Sequence, residues 1–241
     1  MSKVIAIFGA GSGLGASVAR RFAREGFQVA LVARRKDRLD ALVEQLIVEG
    51  VDAVGFTADL SAPDQIPGLV GAIRSHFGRI DVIEYGPISG EQSFVSAAQL
   101  TPAALAKDVP LLVLTPLAVA QAVLPEWMER GDGAFLMTTG ASAVHPVPHL
   151  SGVGPLMAAA RNWLYSLNGE LAVSGIYAGT LSVGAFIARS EIGEQAASSA
   201  TASDAPGVGP LVDPDDLAAH YWDMYTKRDR IEQVHPAPHG S

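Results

Sequence analysis

The chain has 241 residues, 49% of them hydrophobic, which suits one sizeable globular domain. A formal net charge of −8 weighs against a nucleic-acid partner, because phosphate binding needs clustered Lys and Arg. The absence of cysteine excludes disulfides and thiolate chemistry and fits a reducing, cytoplasmic compartment.

The N-terminal "MSKVIAIFGAG" has too short an apolar run for a secretory signal and predicts a first strand buried on both faces. Beyond its glycines, Leu14, Val18, Ala19 and Phe22 recur at helical spacing, and Gly26 stops that helix. "FQVALVA" predicts a second strand, "RKDRLDALVEQLIVEG" a second helix, "DAVGFTADL" a third strand and "APDQIPGLVGAIRSHFG" a third helix. "IDVIEY" follows as a fourth strand, then a polar loop and a long helix near Pro102 to Arg130. Its "VPLLVLTPLAVAQAVLP" is interrupted by Pro110, Pro116 and Gln121 and is expected to fall short of the roughly 20 residues that span a bilayer, so no membrane partner is expected. The strand "GAFLMTT", a helix beginning in "LSGVGPLMAAARNW" and the strand "GIYAGTLSV" complete the alternation. Strand alternating with helix predicts an α/β fold, a doubly wound parallel sheet of Rossmann type in a single domain over 1–241. Residues 185–214 are rich in Ala, Ser and Gly and read as a flexible loop, either solvated or a lid on the substrate side. "DPDDLAAHYWDMYTKRDR" predicts a final helix with its charges matched to the dipole, and residues 228–241 read as a C-terminal tail that frays in "VHPAPHGS".

The string "GAGSGLG" lies between a buried strand and a helix. There Gly9, Gly11, Ser12, Gly13, Leu14 and Gly15 make a turn through which a pyrophosphate can approach backbone N–H groups. The alternative is a merely tight turn. After the second strand stand Arg34, Arg35, Lys36 and Arg38, where a fold that prefers NAD(H) usually offers an acid. Guanidinium groups suit a 2′-phosphate, so NADP(H) is the expected cofactor, with NAD(H) second. A solvated basic helix start is the alternative, and it is disfavoured at a helix N-terminus unless an anion compensates. Asp59, followed by Leu60, is placed to contact the adenine edge, or to cap the turn before "SAPD". Gly86 joins the cofactor-binding set from the turn after the fourth strand.

This order of elements, with "GAGSGLG" in front, "ADL" at 58–60, "AVAQAVLPEWMERGDGAFLMTT" and "RNWLYSLNGELAVSGIYAGTL", resembles the short-chain dehydrogenase/reductase family over residues 3 to about 185. The resemblance implies NADP(H)- or NAD(H)-dependent oxidoreduction and a homodimer or homotetramer. Its interface would use the long fourth helix and the helix after Val153, with Leu114, Leu117, Trp163 and Leu167 as candidates. It also implies four active-site groups that this chain lacks. Registering on Arg161 and Glu170 puts the family's tyrosine on Val153, its lysine on Met157, its serine on Gly140 and its asparagine on Leu112. "EYGP" replaces the usual Asn-Ala-Gly turn. Val, Met, Gly and Leu can neither move the proton nor orient the carbonyl. Substitute donors are sought among Tyr85, Thr139, Ser142, His145, His149 and Ser151, all at the sheet's C-terminal edge. His145 and His149 lack further ligands at metal-binding spacing, so no metal is expected. Two functions of different class follow: an atypical oxidoreductase reducing a carbonyl or enone with a non-standard proton donor, or a catalytically silent cofactor-binding protein that acts through a partner or as a sensor. A cyclase or lyase reusing the pocket is a weaker third.

Overall fold

A computed structural model describes residues 2–88, 95–200 and 211–237. Its strands are β1 (Val4–Phe8), β2 (Gln28–Ala33), β3 (Ala53–Thr57), β4 (Val82–Tyr85), β5 (Gly133–Gly140), β6 (Ile176–Val183), β7 (Phe186–Ile187), β8 (Leu211–Val212) and β9 (Glu232–His235). The helices are α1 (Leu14–Ala23), α2 (Lys36–Val48), α3 (Ile66–Phe77), α4 (Pro102–Val109), α5 (Thr115–Arg130), α6 (Gly154–Leu171), α7 (Glu191–Ala200) and α8 (Pro214–Lys227). Seven strands form one sheet in the order β3–β2–β1–β4–β5–β6–β9, and every pairing in it is parallel. This is the doubly wound sheet that the alternation predicts. All five residues of β1 and all eight of β6 are buried, because helices cover both faces. One layer packs Leu14, Val18 and Phe22 of α1, Leu39 and Leu46 of α2 and Tyr221 of α8 against the sheet. The opposite layer packs Val70 of α3, Val123 and Trp127 of α5 and Leu164 of α6.

Three expectations from the sequence are corrected. The segment 228–241 is not a frayed tail throughout, since β9 adds to β6 with Thr180 opposite Glu232 and Val183 opposite His235. Composition concealed this, because the partner is an open strand edge whose N–H and C=O groups need pairing. Glu232 fixes the strand: its carboxylate accepts from Arg161 Nη2 at 2.5 Å, Tyr165 Oη at 2.6 Å and Ser182 Oγ at 2.5 Å. These donors hold it at about 2 against the burial that would raise it. Residues 238–241 lie outside the described residues.

The loop 185–214 carries β7, which pairs in parallel with β8, and the helix α7. Polar ties organise it where little can be buried: Gly193 N donates to Ser190 Oγ at 3.0 Å, and Arg189 reaches Asp213 at 2.6 Å. Its residues 201–210 lie outside the described residues.

The long helix near Pro102 to Arg130 is present as expected, but the expectation that its apolar stretch falls short of a membrane span is corrected. Pro102–Arg130 runs 29 residues, long and apolar enough by length and composition to cross a membrane. Its Val119, Val123 and Trp127 are buried against the sheet layer instead. A π-helical turn at Pro110–Leu114 lets the helix continue, with Thr115 N donating to Pro110 O. In that pattern the Leu111 carbonyl would next receive an N–H from residue 116, which is proline and has none. Tyr85 Oη supplies the missing donor to Leu111 O at 2.5 Å.

Gly133 opens β5 directly beneath Trp127, whose Nε1 donates to Ile80 O at 2.8 Å. A Cβ at Gly133 would lie 2.2 Å from Trp127 Cδ2. Gly133→Ala is therefore expected to destabilise the fold by about 1–3 kcal/mol through overpacking. Urea denaturation checks this as a lower midpoint with an unchanged slope. An unshifted midpoint would contradict the packing.

Candidate functional site

The strand order reverses between β1 and β4, and their C-terminal ends open a crevice of the kind in which α/β sheets bind ligands. The glycine turn builds one wall. Gly9 has φ +94°, and a Cβ there would come within 2.5 Å of Pro87 Cα, so both conformation and space demand glycine. Gly9 N and Ala10 N both donate to Val32 O at 2.9 Å, and Gly86 N donates to Phe8 O at 3.0 Å, locking the two turns to the sheet. α1 begins at Leu14 with no side-chain cap and no acid in its first turn, which leaves its positive end to an outside anion. Gly11 and Ser12 are exposed while Gly13, Leu14 and Gly15 are buried at the helix start.

The flanking residues divide. Arg34 and Arg35 are exposed beyond β2. Arg35 and Arg38 both bind the carboxylate of Glu191, the first residue of α7, and this is the anion that a basic helix start requires. Asp59 is exposed, and its Oδ1 accepts from Ser61 N at 2.9 Å, so it caps the turn. Leu60 is buried, and its carbonyl accepts from Thr115 Oγ1 at 2.7 Å.

At the positions where the family resemblance implies catalytic groups, the floor is apolar. Val153 and Leu112 are buried. Met157 Sδ accepts the N–H of Gly140 at 3.1 Å, so the residues in the lysine and serine positions touch each other. A Cβ on Gly140 would meet Ser142 Oγ at 3.1 Å and Met157 Sδ at 3.2 Å. Ser142 is half-buried and, with Leu150, Ser151, Gly154 and Ala158, lines a hollow of about 160 Å³. His145 and His149 are exposed on the loop before it. Thr139 is buried, its hydroxyl shared with Thr180 and Ser182 at 2.9 Å each. Tyr85, a candidate donor by sequence, is 2% exposed, and its hydroxyl serves the Leu111 carbonyl. Burial pushes that phenol up, well above its ordinary range, and its proton is engaged by the Leu111 carbonyl. Among the described residues no three His, Asp or Glu side chains gather as a metal ion needs.

Sequence reasoning passed over Glu84. Its signal was an acid inside the apolar strand "IDVIEY". The side chain is buried against Thr138, whose Oγ1 donates to Glu84 Oε1 at 3.0 Å and lies 2.6 Å from Tyr221 Oη. Burial raises the carboxyl to about 8, with the Thr138 hydrogen bond opposing it. The acid is therefore neutral over most of the physiological range.

Residues 3–197 match the sequence model of the short chain dehydrogenases. A short chain dehydrogenase of Pseudocercospora fijiensis is 28% identical over 211 residues, which are 85% of this chain and 65% of that protein. The chain thus spans just under two thirds of that relative's length. An L-sorbose reductase from Gluconobacter frateurii, solved with NADPH and L-sorbose, superposes with a TM-score of 0.82 at 24% identity, covering 94% of this chain and 90% of that one. A short chain oxidoreductase from Pseudomonas aeruginosa, described as containing an atypical catalytic center, gives a TM-score of 0.85 at 18% identity over 99% and 98% of the two chains. At these identities the two structures speak for the fold.

Glu84 makes stability depend on pH. Its folded value of about 8 stands above the ordinary 4.5, so the stability it contributes is complete below about pH 4.5 and is lost as pH rises through 8. Glu84→Gln removes that dependence. Urea midpoints of the two proteins at about pH 5 and pH 9 are expected to show the variant gaining on the wild type at the higher pH. Parallel pH profiles would overturn a buried neutral carboxyl.

Proposed function

The chain belongs to the short-chain dehydrogenase family, and from that premise we propose that it is an NADP(H)-binding oxidoreductase that reduces a carbonyl or enone with a non-standard proton donor. The observation that carries this reading is the contrast between two halves of one crevice. The cradle made by Gly9, Gly11, Ser12, Gly13, Leu14 and Gly15 is whole, while Met157 and Gly140 close the catalytic floor without an acid or base. The residues present fit a dinucleotide. Gly9 leaves no room for a side chain, the α1 terminus has no side-chain cap, Gly86 is tied to β1, and Arg34 and Arg35, exposed beyond β2, support a contact to a 2′-phosphate. When bound, such a cofactor supplies a hydride. The chain's own part is then to position the substrate and place one proton. Ser142, half-buried beside Gly140 and Met157, is the hydroxyl best placed to hold a substrate oxygen, and water completes the proton transfer. An electron-poor carbonyl or enone suits this floor, because it accepts hydride with less help from a general acid.

The Met157–Gly140 contact also favours a second reading, a silent cofactor-binding protein that acts through a partner or as a sensor. The absence of cysteine supports a cytoplasmic setting in either case.

Titration with both cofactors checks the premise. NADPH is expected to bind more tightly than NADH, and alanine at Arg34 and Arg35 together to weaken NADPH by about 1.5 kcal/mol or more, leaving NADH little changed. Equal affinities in the wild type would remove the 2′-phosphate argument. Single-turnover loss of NADPH absorbance over ketones, quinones and enones then separates the two readings. Turnover lost in Ser142→Ala supports the oxidoreductase, and binding without any turnover supports the silent protein.

We also propose a homodimer or homotetramer. Leu114 is 44% exposed on the long helix, and Leu117, Trp163 and Leu167 are only partly covered. Light scattering at micromolar concentration is expected to give twice or four times the chain mass, and a monomeric mass would reject the assembly.

A further inference from the structure

The segment that leaves β6 crosses the glycine turn and ends on an acid. Gly13 lies so close beneath it that a Cβ there would meet Ser190 Cβ at 3.0 Å and Ala188 O at 3.2 Å. Ser12 Oγ donates to the Arg189 carbonyl at 2.7 Å. Arg189 adopts a left-handed φ of 61°, and its guanidinium reaches Asp213 at 2.6 Å and Asp215 at 3.0 Å. These contacts deliver Glu191 to the start of α2. Its carboxylate accepts from Arg35 Nη2 at 2.5 Å and Nη1 at 3.1 Å, and also from Arg38. The two guanidinium groups hold it down at about 2.

We propose that Glu191 is the internal occupant of the 2′-phosphate subsite and so sets how strongly the protein discriminates between NADPH and NADH. This deepens the NADP(H) reading and rests on it. A 2′-phosphorylated dinucleotide that binds Arg34 and Arg35 must draw Arg35 away from the carboxylate, which keeps Arg38. A dinucleotide without that phosphate leaves the pair in place. The exchange favours the phosphate, which carries about −1.5 to −2 charge and three acceptor oxygens against one carboxylate charge. The gain is nevertheless smaller than unpartnered arginines would give, because one anion replaces another. The contacts at Ser12 and Gly13 face both cofactors alike, so the difference between cofactors falls on Glu191.

The test measures dissociation constants of NADPH and NADH for the wild type, Glu191→Gln and Glu191→Asp, with circular dichroism to verify folding. Glu191→Gln keeps the shape and removes the charge. Its NADPH affinity is expected to rise about three- to tenfold while NADH changes by less than about twofold, and added salt is expected to narrow the gap. Glu191→Asp, still charged, is expected to stay near the wild type. NADPH binding seen only in Glu191→Gln would also support the proposal. An unchanged NADPH-to-NADH ratio in Glu191→Gln, with the wild type still binding NADPH, overturns the role of Glu191 and leaves the cofactor reading standing. A fall in NADPH affinity in Glu191→Gln overturns it likewise. Binding of neither cofactor to any of the three proteins overturns both.

Discussion

The ends of β1 and β4 meet so closely that backbone nearly touches backbone. Gly9 and Pro87 share a space in which no Cβ fits, and the hydrogen bonds from Gly9 to Val32 and from Gly86 to Phe8 draw three strands into that knot. The rest of the crevice depends on this approach. It directs the start of α1 outward over the sheet edge, and it fixes where Glu84 and Tyr85 leave the strand. Glu84 must then face the α8 layer and Tyr85 the opposite one, because successive strand residues alternate. One becomes a neutral acid under α8, the other a strut for the π-helical turn. A constraint in two turns is in this way felt in both layers of the core.

The fold was legible in the sequence because its signals are local. Apolar runs of strand length, glycine stops and helical periodicity each belong to a few consecutive residues, and β1 to β6 with α1, α2, α3 and α6 stand where those signals fall. What was not legible depends on partners distant in the chain. β9 exists because β6 offers an edge and because Arg161 and Tyr165, some 70 positions earlier, hold Glu232. α7 and β7 are held by contacts to Ser12 and Asp213 that no window of composition includes. The glycine turn of the candidate site could be read from its spacing. The partner of the arginines could not, since Glu191 lies in a segment whose composition suggested little structure. Tyr85 is a case of the same kind: its place at the sheet edge allowed a role beside a ligand, and only the gap that Pro116 leaves in the helix explains where its hydroxyl goes.

The apolar floor and the polar ladder beside it divide the C-terminal end of the sheet around β5 and β6. Met157 and Gly140 touch each other, while Thr139, Thr180, Ser182 and Glu232 pass hydrogen bonds outward from the core toward Arg161 and Tyr165. Polar groups are thus plentiful near the site, but they are satisfied by one another. A buried network with each member partnered stiffens its surroundings and has little capacity left for a substrate. The stiffness is of use even so, since it holds Gly140 and the turn after it where Ser142 can be reached.

The pairing of β6 with β9 also orders events in time. β9 follows β6 by about 50 residues in synthesis, so a chain emerging at roughly 5–20 residues per second spends several seconds with β6 as an open edge. During that interval the unpaired edge is a template for any other extended strand. The hydroxyl of Ser182 faces the side that Glu232 will occupy, while that of Thr180 turns to Thr139 of β5, and a polar group on an edge makes it a poorer partner for an apolar strand. The same serine that later anchors the last strand therefore guards its place while it is being made.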